Sequence, residues 1–153
     1  MTQKLELYSR RGKTKDMIRS EVSRKNKYWI SKNRHYELKY FCLQYPSWKK
    51  ECNFIDSISL TYVTQDRIID NKITDLTANC AIRKAYYTDM IRVVEKAAND
   101  TDEDLRWYIL KGVTEGLSYN ILKARFNIPC GRDMYYDRYR RFFWLLNKYR
   151  DTV

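Results

Sequence analysis

Six side chains between Arg132 and Arg141 have the types and spacing to meet a polyanion. They are Arg132, Asp133, Tyr136, Asp137, Arg140 and Arg141. On a helix the first five fall together on the outer side of its first half. An arginine there can hold a guanine edge with two parallel hydrogen bonds or grip a phosphate. The aspartates can orient those arginines or accept from a cytosine amine, and Tyr136 can pack on the sugar-phosphate wall. Lys123 and Arg125, just upstream, suit contacts to the DNA backbone. Arg19, Arg24, Lys25 and Lys27 add a second basic set that could track phosphates.

These residues need a scaffold, and the surrounding sequence supplies one. Ser118 is a good N-cap for a short helix over 118–126, whose apolar members are Ile121, Leu122 and Phe126. Asn127 tolerates the left-handed conformation where that helix stops. Pro129 cannot extend it, and Gly131 loosens the backbone before the next. A helix over 131–150 then carries Tyr135, Tyr139, Phe142, Leu146 and Tyr149 at alternating spacings of four and three, one amphipathic stripe. The pattern is a helix-turn-helix: one face locks into its own domain, the other offers donors near the helix start.

The 153 residues suit one domain or one domain plus an appendage. Glycine and proline are scarce, at 4 and 2, and periodic apolar runs are long, so the expected fold is all-α. The net charge of +11 divides unevenly: +10 over 1–50, −4 over 51–116 and +5 over 117–153. Two basic ends around an acidic middle localise polyanion contact. Double-stranded DNA is the first candidate partner, ahead of an anionic membrane surface.

Several chemistries lack their residues. The four cysteines (Cys42, Cys52, Cys80, Cys130) form no C-x-x-C pair, so no metal is expected. His35 is the single histidine and has no partner in sequence to make it a base, so no catalytic residues and no cofactor are expected. Arg10–Thr14 resembles the end of a phosphate-binding loop, but the required earlier glycine is Leu7. Aspartates at 100, 102 and 104 imitate a calcium loop whose glycine and glutamate positions are Leu105 and Lys111. The first fifteen residues are charged, and no apolar run reaches transmembrane length, which favours a cytoplasmic protein without membrane contact.

Along the chain the expected organisation is a flexible basic N-terminus (1–13), a basic helical region (14–56), a connection (57–75) and a helix-turn-helix domain (76–153). The helical region holds a helix over 14–32, a second run from Asn33 that Pro46 breaks, and a short helix with Trp48, Cys52 and Ile55. Ile58, Leu60 and Tyr62 alternate as a strand would, which gives the connection some extended character. A helix over 77–98 has Ile82, Tyr86, Met90, Val93 and Ala97 as its stripe. Thr101 caps the next, which Gly116 ends.

From about Leu76 to Arg150 the chain resembles the ArpU/RinA type of phage regulators, small proteins ending in a helix-turn-helix like that of sigma-factor region 4. The residues carrying the resemblance are Leu117–Tyr119, Phe126–Pro129 and Met134–Arg141. Three positions depart from the pattern: Lys123 replaces a small residue, Asn127 a glycine, and Pro129-Cys130-Gly131 a Ser/Thr. The resemblance implies a phage or prophage transcriptional regulator in a bacterial cytoplasm, reading DNA with the helix 131–150. A homodimer on two half-sites would suit it. The other reading is a host-takeover inhibitor, such as an anti-CRISPR protein, that binds a host nuclease or RNA polymerase through the same surface.

Overall fold

The computed structural model describes residues 24–64 and 71–151. It is all-α there: α1 (Lys32–Leu43), α2 (Tyr45–Thr64), α3 (Asn71–Thr101), α4 (Arg106–Glu115), α5 (Tyr119–Phe126) and α6 (Arg132–Arg150). Among the described residues no helix is long and apolar enough to cross a membrane.

One core joins the two basic ends of the chain. α1 and α4 pack beside α6, which lies along the C-terminal half of α3. Leu38, Phe41 and Cys42 of α1 bury with Ile91, Val94 and Ala98 of α3, Ile109 and Val113 of α4, and Tyr135, Phe142, Phe143 and Leu146 of α6. His35 is buried too, with its ring edge-on to Phe143 at 4.8 Å and to Tyr139 at 6.2 Å. Burial, with the Lys39 charge adding, lowers its pKa to about 4, so it is a neutral packing residue.

Local turn chemistry acts where the sequence predicts it. Pro46 sits in the first turn of α2, where its missing N–H costs nothing. Gly116 and Asn127 take left-handed conformations, φ 69° and 47°, at the ends of α4 and α5. Ser118 occupies the N-cap of α5 in extended conformation, but its hydroxyl makes no capping bond.

Four expectations are corrected. Residues 24–31 are turn rather than helix, because the Asn26 side chain accepts from the Tyr28 amide (2.9 Å) and offers the backbone a competing turn. The earlier part of the expected 14–32 helix, with Arg19, lies outside the described residues. Residues 57–64 are not a connection: they continue α2, and 71–75 already belong to α3. A lone strand would leave backbone groups unpaired, whereas a helix packed on α3 satisfies them. The Ser57, Ser59 and Thr61 hydroxyls also donate back to carbonyls three or four residues earlier.

Thr101 closes α3 instead of capping α4, donating to the Ala97 carbonyl at 2.6 Å. Asp102 instead organises the turn that leads to Leu105, the N-cap of α4, accepting from the amides of Asp104 and Leu105, both at 3.1 Å. Finally, the stripe expected for α3 is rotated. Ile91, Val94, Ala97 and Ala98 are buried, while Ile82 and Tyr86 are 67% and 58% exposed. α3 is apolar on two sides, and periodicity cannot say which one a neighbour covers.

Candidate nucleic-acid interface

α5, the left-handed Asn127 and α6 form the expected helix, turn and helix. Ile128 is fully buried beneath the turn. The Tyr119 hydroxyl donates to the Cys130 carbonyl at 2.8 Å, and the Lys123 ammonium to the Ile128 carbonyl at 3.3 Å, so both ends of α5 tie down the turn. Burial raises the Cys130 thiol above its ordinary range, which leaves it protonated and inert.

The predicted contact residues separate into two groups. Lys123 and Arg125, in the last turn of α5, are exposed, as is Asp133 in the first turn of α6. Arg132 lies beside them, its guanidinium 5.8 Å from the centre of the Tyr136 ring. These four gather around the turn and the start of α6.

The rest of the expected reading face is closed. Tyr136 is 8% exposed, with its ring against Tyr135 and Tyr139, so it cannot pack on a sugar-phosphate wall. Its contribution is to support Arg132 from below. Asp137 does not orient Arg132 or Arg140, because it accepts from Arg138 Nη1 at 2.9 Å. Arg141 donates to the Asp100 carbonyl at 3.3 Å, at the α3–α4 corner. Arg140 is half-buried, and its Nε has no hydrogen-bond partner among the described residues. From Tyr135 to Asn147 no residue of α6 is fully exposed. α1 covers the later part of α6, where His35 meets Tyr139 and Phe143 and Arg34 bonds Asn147, while the α3–α4 corner holds Arg138 and Arg141.

Arg138, absent from the predicted set, is a principal tether. Its Nε donates to Asp102 Oδ2 at 2.9 Å while Nη1 holds Asp137. Desolvation alone would raise the Asp102 carboxyl. The Arg138 guanidinium and the Leu105 and Asp104 amides outweigh it and hold the group below the usual carboxylate range. Tyr149 adds a hydroxyl bond to Asp100 Oδ2 at 2.6 Å. No short-range spacing marks these pairs, since their partners are 36 or more residues away.

In the second basic set, Arg24 lies 5.7 Å from the Trp29 ring centre and Lys27 4.8 Å from that of Tyr28. Tyr28 in turn packs edge-on against Trp144 of α6 at 5.6 Å. The described part of the N-terminal basic segment is therefore docked on α6. A third basic feature escaped sequence reasoning. Arg92 and Lys96 of α3 and Arg106 and Trp107 of α4 line a cleft of about 490 Å³. Trp107 meets Phe126 of α5 edge-on at 5.2 Å, so the cleft adjoins the helix-turn-helix. Among the described residues no group of three or more His, Cys, Asp or Glu is arranged to hold a metal ion.

No protein-family model matches the chain, and no solved structure matches it. The chain is similar, at 30% identity over 108 residues, to "Cohesin subunit SCC3" of Saccharomyces cerevisiae. That match takes in 70% of this chain but 9% of SCC3, so the chain spans about a tenth of the relative's length.

Proposed function

We propose that this protein binds double-stranded DNA through its helix-turn-helix and regulates transcription, as the resemblance to phage regulators implies. The observation that carries the reading is the cluster of Lys123, Arg125, Arg132 and Asp133 around a turn braced at both ends. Exposed cations on a fixed turn contact phosphates and set the register of the helix that follows. The 117–153 segment carries a net +5, which favours the encounter.

Base readout is confined to the first turn of α6. Arg132 is the donor for a guanine edge or an adjacent phosphate, and Asp133 accepts from a cytosine amine or orients Arg132. Lys123 and Arg125 hold the backbone. Asp137, Arg141 and Tyr136 drop out of direct contact and serve the fold, and half-buried Arg140 lies outside the contact set. The protein works without a catalytic centre, in the cytoplasm of the bacterial host.

The experiment is a salt titration of duplex binding by the wild type, Arg125→Ala and Arg132→Ala. Arg125→Ala should weaken binding to all sequences alike and lower the salt slope by about 1. Arg132→Ala should cost about 1–3 kcal/mol and relax the preference at one base position. Unchanged affinity in both variants would remove the helix-turn-helix from the interface.

A further inference from the structure

The outward side of α3 carries an apolar stripe that the described residues cover only in part. Ile82, Tyr86, Met90, Val93 and Ala97 follow one another at helical spacing. Val93 and Ala97 turn into the core, where α6 crosses α3. Arg141 and Tyr149 of α6 fix that crossing on Asp100. Ile82 and Tyr86 continue the stripe beyond the end of α6, at 67% and 58% exposure.

α2 packs along the opposite side of α3. The pairs Tyr45–Glu95, Cys52–Thr88 and Asp56–Lys84 fix the antiparallel register of α2 and α3. That register sets Phe54, 61% exposed, level with Tyr86 but on the side of α2 turned away from α3. The Glu51–Arg83 ion pair closes one side of the α2–α3 contact. Ile82 and Tyr86 thus stand open together on the side of α3 turned away from α2.

We infer that this α2–α3 arm is a dimerisation surface whose occupant is the same arm of a second copy, with the two α3 helices antiparallel. A two-fold axis between Ile82 and Tyr86 sets Ile82 of each chain against Tyr86 of the other, the self-complementary contact an isologous interface requires. The charges around the stripe agree. Exposed Asp75 lies towards the free end of the arm, and exposed Arg92 and Lys96 lie towards its base. The antiparallel pairing brings each Asp75 to the level of the other chain's Arg92. The stretch 53–89 carries a net charge of −1 within a chain of +11, so this is where two copies approach with little repulsion. A partner helix would extend the cover that α6 gives to the lower half of the stripe. The inference is independent of DNA binding, and its test contains no DNA.

Sedimentation velocity of the full chain from about 1 to 100 μM decides it, with dissociation constants converted in the usual way. The expected result is a concentration-dependent dimer. Ile82→Glu and Tyr86→Glu should each raise the dissociation constant by about tenfold or more, with an unchanged helical circular dichroism spectrum. Ile82→Ser, too mild to disturb an exposed helix, should weaken it in the same direction. Asp75→Arg and Arg92→Asp should each loosen the dimer, and the pair together should restore it. A monomer across the whole range overturns the proposal. So does a dimer that survives Ile82→Glu and Tyr86→Glu with the fold intact. Failure of the charge reversal to restore association contradicts the antiparallel pairing.

Discussion

Arg138 holds Asp102: its Nε donates to Asp102 Oδ2 at 2.9 Å, fastening the middle of α6 to the corner between α3 and α4. The same carboxylate accepts the amides that open the turn into α4 through Oδ1. One aspartate therefore joins the turn before α4 to a long-range ion pair, and the Arg138 and Asp102 side chains are mostly covered, at 28% and 15% exposure.

Breaking that link should be felt in stability. Asp102→Ala removes two turn hydrogen bonds and a charge-assisted pair together, and about 1–3 kcal/mol should be lost in urea unfolding. Because the folded carboxyl lies below its ordinary range, its contribution is present above the unfolded pKa and vanishes as pH falls through the folded value. Wild-type stability should therefore fall in acid below about pH 4, and Asp102→Asn should flatten that part of the profile.

His35 acts in a higher window. Its folded pKa is about 4 against an ordinary 6.5, so between those values the unfolded chain binds the additional proton. Stability from the neutral ring is complete above pH 6.5 and declines as pH drops towards 4. The loss should reach on the order of 2–3 kcal/mol. Thermal unfolding of His35→Phe against pH should lack this slope, and an identical slope in the variant would place the titrating group elsewhere.

Gly112 and Tyr135 form a testable pair. A methyl group at 112 would collide with the Tyr135 hydroxyl, which is buried and has no hydrogen-bond partner among the described residues. Gly112→Ala should destabilise by about 1–3 kcal/mol despite the better helix former. Tyr135→Phe removes an unpaired polar group and should be neutral or stabilising. In the double variant most of the alanine penalty should disappear, a coupling that a double-mutant cycle measures directly.

Asn127 holds φ 47° at the turn. Asn127→Ala should cost about 1 kcal/mol, because a β-carbon without a local polar partner disfavours that region. Asn127→Gly should be tolerated, and equal stability of the alanine and glycine variants would show that backbone conformation does not limit the turn.

What could be read from sequence was local. Pro46, Gly116 and Asn127 act through their own backbone preferences, so the helix boundaries they set were visible without a structure. The all-α class followed from long periodic runs and few breakers. Packing was not local. α3 has apolar residues on two sides, so its period could not reveal that Ile91 and Val94 turn inward while Ile82 and Tyr86 remain open. The tail of α2 alternates like a strand, and only α3 beside it selects the helix. In the candidate site, Lys123, Arg125, Arg132 and Asp133 keep their predicted placement near the turn. Tyr136 and Asp137 were lost to neighbours on α6 itself, Tyr135, Tyr139 and Arg138, and Arg141 to the Asp100 carbonyl, which a single helical wheel cannot contain.

Selection of bound fragments from a pool of random duplex DNA, at moderate and high salt, tests the central claim most directly. DNA reading by the start of α6 predicts a short enriched motif that persists when salt is raised, and loss of its preferred base in Arg132→Ala. Binding without a motif that disappears with added salt would mean phosphate attraction alone and would contradict a sequence-reading role.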